Sequence, residues 1–138
     1  MEQLFKCKTI KQQKIMEWLV SQGITGADIA HARLIGTAMV RVTNPAGQYM
    51  DIFCNDRSEV HILQVTEERE AELDWYMDHE TEDPETAEWR EDLTPDEAIM
   101  VEQWDEQYRI AFAAMAQRIL ELESSRQYLP EHDYEPEL

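Results

Sequence analysis

Residues 94–126 constrain the fold most, because they read as one long, unbroken amphipathic helix. Thr94 can cap the first turn, Pro95 suits the first helical position, and Glu97 stands where a capping box places its carboxylate. No Gly or Pro follows Pro95 in this stretch, so about 48 Å of continuous helix is expected. Apolar residues recur at three- and four-residue steps and form one stripe: Val101, Trp104, Tyr108, Phe112, Met115, Ile119 and Leu122.

This stripe is too long for one small sheet to cover. It spans about 32 Å along the helix axis, whereas a three-stranded sheet is about 10 Å across and its strands are about 20 Å long. The end from Met115 to Leu122 is therefore expected to stay uncovered by the sheet. We predict that this end contacts either a second copy of the chain, as a homodimer, or the N-terminal helix near Trp18.

The rest of the pattern predicts an α+β fold with an N-terminal helical hairpin. Thr9 can cap a first helix that ends before Gly23. Thr25 and Asp28 indicate a short second helix through about Leu34, and Gly36 ends it. A three-stranded antiparallel sheet is predicted next, with strands at 37–42, 49–54 and 59–65 separated by turn-forming residues.

The C-terminal half is predicted to be helical and acidic, with the long helix as its main element. Thr66 can cap a helix over 67–79, residues 81–83 form a loop, and Pro84 starts a short helical turn. The first helix is expected to cover one face of the sheet. The other face carries Met39, Tyr49, Phe53 and Leu63, which can pack against part of the long helix or against a partner.

Charge divides the chain into a near-neutral part and an acidic part. The net charge of the 138 residues is −18; residues 1–65 hold 7 Lys/Arg and 6 Asp/Glu, and residues 66–138 hold 5 and 24. We therefore predict a near-neutral α+β part at 1–66, an acidic helical part at 67–126 and a flexible acidic tail at 127–138. The acidic half repels DNA and anionic membranes and attracts basic proteins.

Residues 67–106, which we call the acidic belt, carry the strongest functional signal. They contain 18 Asp/Glu but only two cations, Arg69 and Arg90. A solvated helix usually interleaves cations at four-residue steps, so this excess indicates a binding surface, although plain solubility is the alternative. In a helix the carboxylates average about one per 3.3 Å, close to the phosphate spacing of about 3.4 Å along a DNA strand.

The leading hypothesis is therefore a non-enzymatic inhibitor that mimics nucleic acid. Its partner is a basic nucleic-acid-binding protein, and small inhibitors encoded by phages and mobile elements fit this description by analogy. The predicted partner-binding residues are Glu80, Glu82, Asp83, Glu85, Glu88, Glu91, Asp92, Asp96, Glu97, Glu102, Asp105 and Glu106.

Two other functions remain open on the sequence alone. A small transcriptional or replication regulator could contact DNA through the N-terminal half, in a loose helix-turn-helix arrangement. The long helix could also make the protein a structural helical dimer. Tight direct binding to nucleic acid is not expected from the N-terminal half, since its net charge is only +1. The cations that would contact DNA are Lys11, Lys14, Arg33, Arg41 and Arg57.

No catalytic or metal motif stands out, so no enzyme activity and no cofactor are predicted. Cys54, His61 and Asp56 could be named as a nucleophile, base and orienting group, but an inert buried cysteine fits the strand pattern better. The carboxylates of residues 78–83 lack the glycine and the final glutamate of a calcium loop, and the histidines lack ligand spacing. Without a signal peptide or membrane span, a cytoplasmic protein is expected.

Overall fold

The computed structural model describes residues 3–80 and 84–127, which form a mixed helix-and-sheet fold. The chain separates into two compact units, Met1–Gln107 and Tyr108–Leu138. The α-helices and β-strands are, in chain order, α1 (Ile10–Ser21), β1 (His31–Ile35), β2 (Met39–Thr43), β3 (Tyr49–Cys54), β4 (Val60–Ile62), α2 (Glu67–His79) and α3 (Pro95–Gln127). The described residues also include two short 3₁₀ segments, Gly26–Asp28 and Pro84–Asp92.

The α+β class is confirmed, but the described sheet has four strands instead of three. The strands lie in the order β1-β2-β3-β4, and each pairs antiparallel with the next. The three predicted strands correspond to β2, β3 and β4. The additional strand, β1, stands where the sequence pattern predicted the second helix of a hairpin.

The predicted helical hairpin is therefore wrong at its second helix. The backbone N–H of Thr25 donates to the carboxylate of Asp28 at 2.8 Å, but this contact closes only the Gly26–Asp28 turn. The residues that follow alternate in burial and pair with β2. The strand is favoured because Ala32 and Leu34 then pack against the core beneath α1.

The predicted starts of α1, α2 and α3 are confirmed by their capping contacts. Thr9 accepts the backbone N–H of Gln12 at the start of α1, and Thr66 caps α2 in the same way. At the start of α3, Thr94 Oγ1 accepts the N–H of Glu97 at 3.2 Å, and the Glu97 carboxylate accepts the N–H of Thr94 at 3.1 Å. These contacts are local, which is why sequence spacing predicts them.

The sheet is covered on both faces, as predicted. Ile15 and Leu19 of α1 pack on the face formed by residues such as Val40 and Ile52. A second cluster on the opposite face includes the buried Met100 of α3. Its other buried members are Ile35, Ala38, Met39, Phe53 and Leu63.

The turn between β1 and β2 is held by side chains of α3. Gln103 is almost fully buried, and its Oε1 accepts the backbone N–H groups of Thr37 at 3.2 Å and Ala38 at 2.8 Å. Gln107 accepts the N–H of Gly36 at 2.8 Å. These bonds satisfy three backbone donors of a tight turn and fix the first part of α3 against the sheet.

The stripe of α3 is buried at its beginning and exposed from Tyr108 onward. Val101 is buried, whereas Tyr108 is 67% exposed and Met115 is 60% exposed. The predicted uncovered end is confirmed, and it begins earlier than Met115. The predicted loop at 81–83 lies outside the described residues, as does the predicted tail from residue 128 onward. None of the described helices is long and apolar enough to cross a membrane.

Candidate partner-binding surface

The carboxylates of the acidic belt fall into two groups, which differ in whether they have a partner within the described chain. Seven of them accept hydrogen bonds from side chains or backbone groups of the same chain: Glu70, Glu72, Glu80, Asp96, Glu97, Asp105 and Glu106. Five of these seven belong to the predicted partner-binding set, so this part of the set also serves the fold.

The two arginines of the belt each bind two carboxylates. Arg69 Nε lies 3.1 Å from Glu97, and its Nη1 lies 3.2 Å from Glu72. Arg90 lies 2.6 Å from Glu80 and 2.9 Å from Asp105. Each arginine therefore joins elements that are distant in sequence and reduces the repulsion among their carboxylates.

These contacts change the pKa of the carboxyl groups involved. Hydrogen bonds from Arg69 lower the pKa of Glu97 below its ordinary value of 4.5, although partial burial opposes the change. Arg90 lowers the pKa of Glu80 in the same way. A lowered pKa means that each contact stabilises the fold above the ordinary carboxyl pKa, and that this contribution is lost as the pH falls through the lowered value.

A third arginine, Arg41, binds Asp51 and Glu70 between the sheet and α2. Asp51 is opposite Arg41 in the β2–β3 register. The two carboxylate oxygens of Asp51 accept hydrogen bonds from the Arg41 guanidinium at 2.7 and 2.9 Å. Glu70 accepts from Arg41 at 2.6 Å and from the Tyr49 hydroxyl at 3.2 Å. Burial disfavours the charged guanidinium, but these hydrogen bonds outweigh it and raise the pKa of Arg41.

Eight further belt carboxylates are exposed and have no partner among the described residues. We call them the open carboxylates: Glu67, Glu68, Asp74, Asp78, Glu88, Glu91, Asp92 and Glu102. Four lie on α2, three in the Pro84–Asp92 segment and one on α3. Glu82 and Asp83 of the predicted set lie outside the described residues, and Glu85 lies in the Pro84–Asp92 segment.

Trp75, which the sequence analysis did not select, lies on the outward face of α2. It is 55% exposed, and it is two positions from the fully buried Leu73, about 200° around the helix. Its ring stacks on His79 at a centroid distance of 3.9 Å. The spacing from Leu73 was the available signal, because a residue two positions from a buried one faces outward.

Acidic residues surround Trp75 on this face. Asp78 and Glu72 lie three positions from it and therefore share its side of the helix. Beside the ring is a shallow depression of about 360 Å³, lined by Ala71, Glu72, Trp75 and Tyr76. An aromatic ring next to carboxylates can receive a lysine or arginine side chain through cation–π and ionic contacts.

The sheet register separates the residues of the candidate catalytic triad. His61 pairs with Phe53 and contacts its ring, whereas Cys54 pairs with Val60. Neighbouring positions alternate between faces, so Cys54 and His61 point to opposite faces of the sheet. Burial raises the pKa of Cys54. No cluster of metal-ligating side chains occurs among residues 3–80 and 84–127.

Two of the five cations assigned to DNA contact already have acidic partners. Arg41 belongs to the network with Asp51 and Glu70, and Lys11 lies beside Asp56. The helix-turn-helix arrangement is also wrong, because β1 occupies the place of its second helix. Comparison with family models, curated proteins and solved structures found no match for this chain.

Proposed function

We propose that this chain is a non-enzymatic inhibitor that binds a basic, nucleic-acid-handling protein and occupies its nucleic-acid site. The open carboxylates supply a negative surface that is not neutralised by cations among the described residues. Such a surface attracts a basic partner over a distance, and at physiological ionic strength salt largely screens this attraction beyond about 8 Å.

Trp75 is the observation that supports this proposal most. Carboxylates alone would serve solubility. The stacking of Trp75 on His79 is a contact within α2, but it leaves Trp75 55% exposed to solvent among the carboxylates. Interfaces are anchored by a few desolvated aromatic residues within a polar rim. The combination of Trp75 with the open carboxylates of α2 therefore favours a protein partner over simple solvation.

Competition with DNA is the property that tests the proposal. A cell lysate is treated with a Mg²⁺-dependent nuclease, and the nuclease is inactivated with a chelator. The lysate is then passed over immobilised DNA, and the purified chain is added to the washed resin. The proposal requires that the chain release a subset of the retained basic proteins and bind them directly after release. If it releases none at moderate salt, the proposed function is wrong.

Reversing open carboxylates is expected to abolish this release. Asp74 and Asp78 are replaced with Lys, since both are exposed and neither has a described partner. The control replaces Glu17 and Glu59 with Lys. Both are exposed and lie outside the belt, so the two variants change the net charge equally. Loss of release in the first variant alone supports the proposal. An equal loss of release in both variants would show that only total charge matters, and unchanged release in both would show that these carboxylates do not bind the partner.

Replacing Trp75 with Ala is expected to weaken partner binding about 30-fold or more, as for an interface anchor. The matched control is Ile10→Ala, because Ile10 is 77% exposed and lies outside the belt. The free energy of unfolding of Ile10→Ala should lie within about 0.5 kcal/mol of that of the parent. Trp75→Ala should lose about 1 kcal/mol, because its stacking on His79 is removed, and should remain folded. Unchanged affinity in the Trp75 variant would remove this residue from the binding surface.

A further inference from the structure

The segment of α3 from Tyr108 to Leu122 is apolar over most of its circumference and is exposed in the single chain. Phe112 is 70% exposed, and Ile110 and Leu120 add apolar surface away from the main stripe. A helix of this composition is normally buried, and a contiguous exposed apolar surface of this kind marks an interaction site.

The main stripe of this segment has the spacing of a coiled-coil seam. Tyr108, Phe112, Met115, Ile119 and Leu122 are separated by four, three, four and three residues. With Phe112 and Ile119 at a positions, the other three occupy d positions. Successive a and d residues of two such helices interlock as knobs in holes.

The residues that flank the seam are complementary to a second copy. In a parallel, in-register pair, each g position faces the e position five residues later on the other helix. Arg118 is at g and Glu123 is at e, so each arginine faces a glutamate of the second copy. In an antiparallel pair the g positions face each other, and Arg118 would lie near its own equivalent.

We propose that residues 108–125 of two copies pair as a parallel, in-register, two-stranded coiled coil. Within this range, two arginines balance two glutamates, so the paired segments do not repel each other despite the net charge of −18 per chain. That net charge disfavours an anionic membrane as the occupant. The proposal is independent of the proposed inhibitor function, which rests on residues of the other unit.

Mass in solution tests the pairing. At about 100 µM protein, where a dimer with a Kd of about 1 µM is nearly saturated, sedimentation equilibrium should give twice the chain mass of 16.3 kDa. Met115→Glu with Ile119→Glu should give the mass of one chain. The control Gln117→Glu with Ser124→Glu adds the same charge on the f positions, outside the seam, and should remain dimeric. A parent protein that is monomeric at this concentration would overturn the proposal.

Exchanging the flanking charges tests the orientation and does not depend on whether the glutamate variant folds. Arg118→Glu and Glu123→Arg, each alone, should raise the dimer dissociation constant about tenfold, because two attractive contacts become repulsive. The double exchange should restore the parent value. If Arg118→Glu tightens the dimer, or if neither exchange changes it, the parallel coiled coil is wrong.

Discussion

The Arg41→Met variant is expected to lose about 3 to 5 kcal/mol of unfolding free energy, because it leaves a buried carboxylate without its cation. Asp51 is only 4% exposed, and both of its oxygens accept hydrogen bonds from Arg41. Glu70 loses the same cation. Methionine retains most of the apolar contact of the arginine stem, so the loss of unfolding free energy measures the effect of removing the positive charge. Urea denaturation followed by circular dichroism measures it.

Arg33→Met is the matched control for this prediction. Arg33 lies opposite Arg41 in the β1–β2 register but is exposed, so its replacement should change stability by about 0.5 kcal/mol or less. Adding Asp51→Asn to Arg41→Met should recover about 1 kcal/mol or more, because the unpaired charge is removed. Equal effects of the two arginine variants would contradict the role of Arg41 in the buried network.

Gly36→Ala is expected to destabilise the fold by about 3 kcal/mol or more, since it combines backbone strain with overpacking. Gly36 has a φ of +59°, and an added Cβ would lie 2.6 Å from Oε1 and 2.7 Å from the backbone oxygen of Gln103. The methyl group would therefore push α3 away from the turn that it holds. Thermal or urea unfolding measures the loss.

Two other glycines separate strain from crowding. Gly23 and Gly47 have φ values of +85° and +88°, and an added Cβ would meet nothing within 4 Å at either position. Their alanine variants should lose only about 1 to 2 kcal/mol each, from the left-handed backbone alone. If Gly36→Ala is as stable as the Gly23 and Gly47 variants, the close approach of Gln103 does not constrain the turn.

Local chemistry made several elements predictable from sequence. The caps at Thr9, Thr66 and Thr94 depend on residues three positions away, so spacing was sufficient. The alternation in 49–54 predicted β3 with its bounds. The pattern also predicted that α3 would have more apolar surface than the sheet could cover, because a helix length and a sheet width can be compared without knowing the contacts.

Long-range contacts account for what the sequence did not predict. Thr25 and Asp28 fit the start of a helix and a short turn equally well. Whether the following residues form a helix or a strand depends on whether Leu34 can pack beneath α1. The division of the belt into paired and open carboxylates depends on which elements Arg69 and Arg90 join. Neither choice is encoded within a window of a few residues.

Because α3 covers the second face of the sheet, this face stays uncovered during part of the synthesis of the chain. All four strands leave the ribosome before Met100, which completes the cluster on that face. At translation rates of about 5 to 20 residues per second, the ribosome adds residue 107 roughly 2 to 9 s after it adds the last residue of β4. During this interval Met39 and Phe53 lack the cover that Met100 later supplies. Slow codons between β4 and α3 would lengthen the period in which this uncovered face can aggregate, and would thereby lower the yield of folded protein.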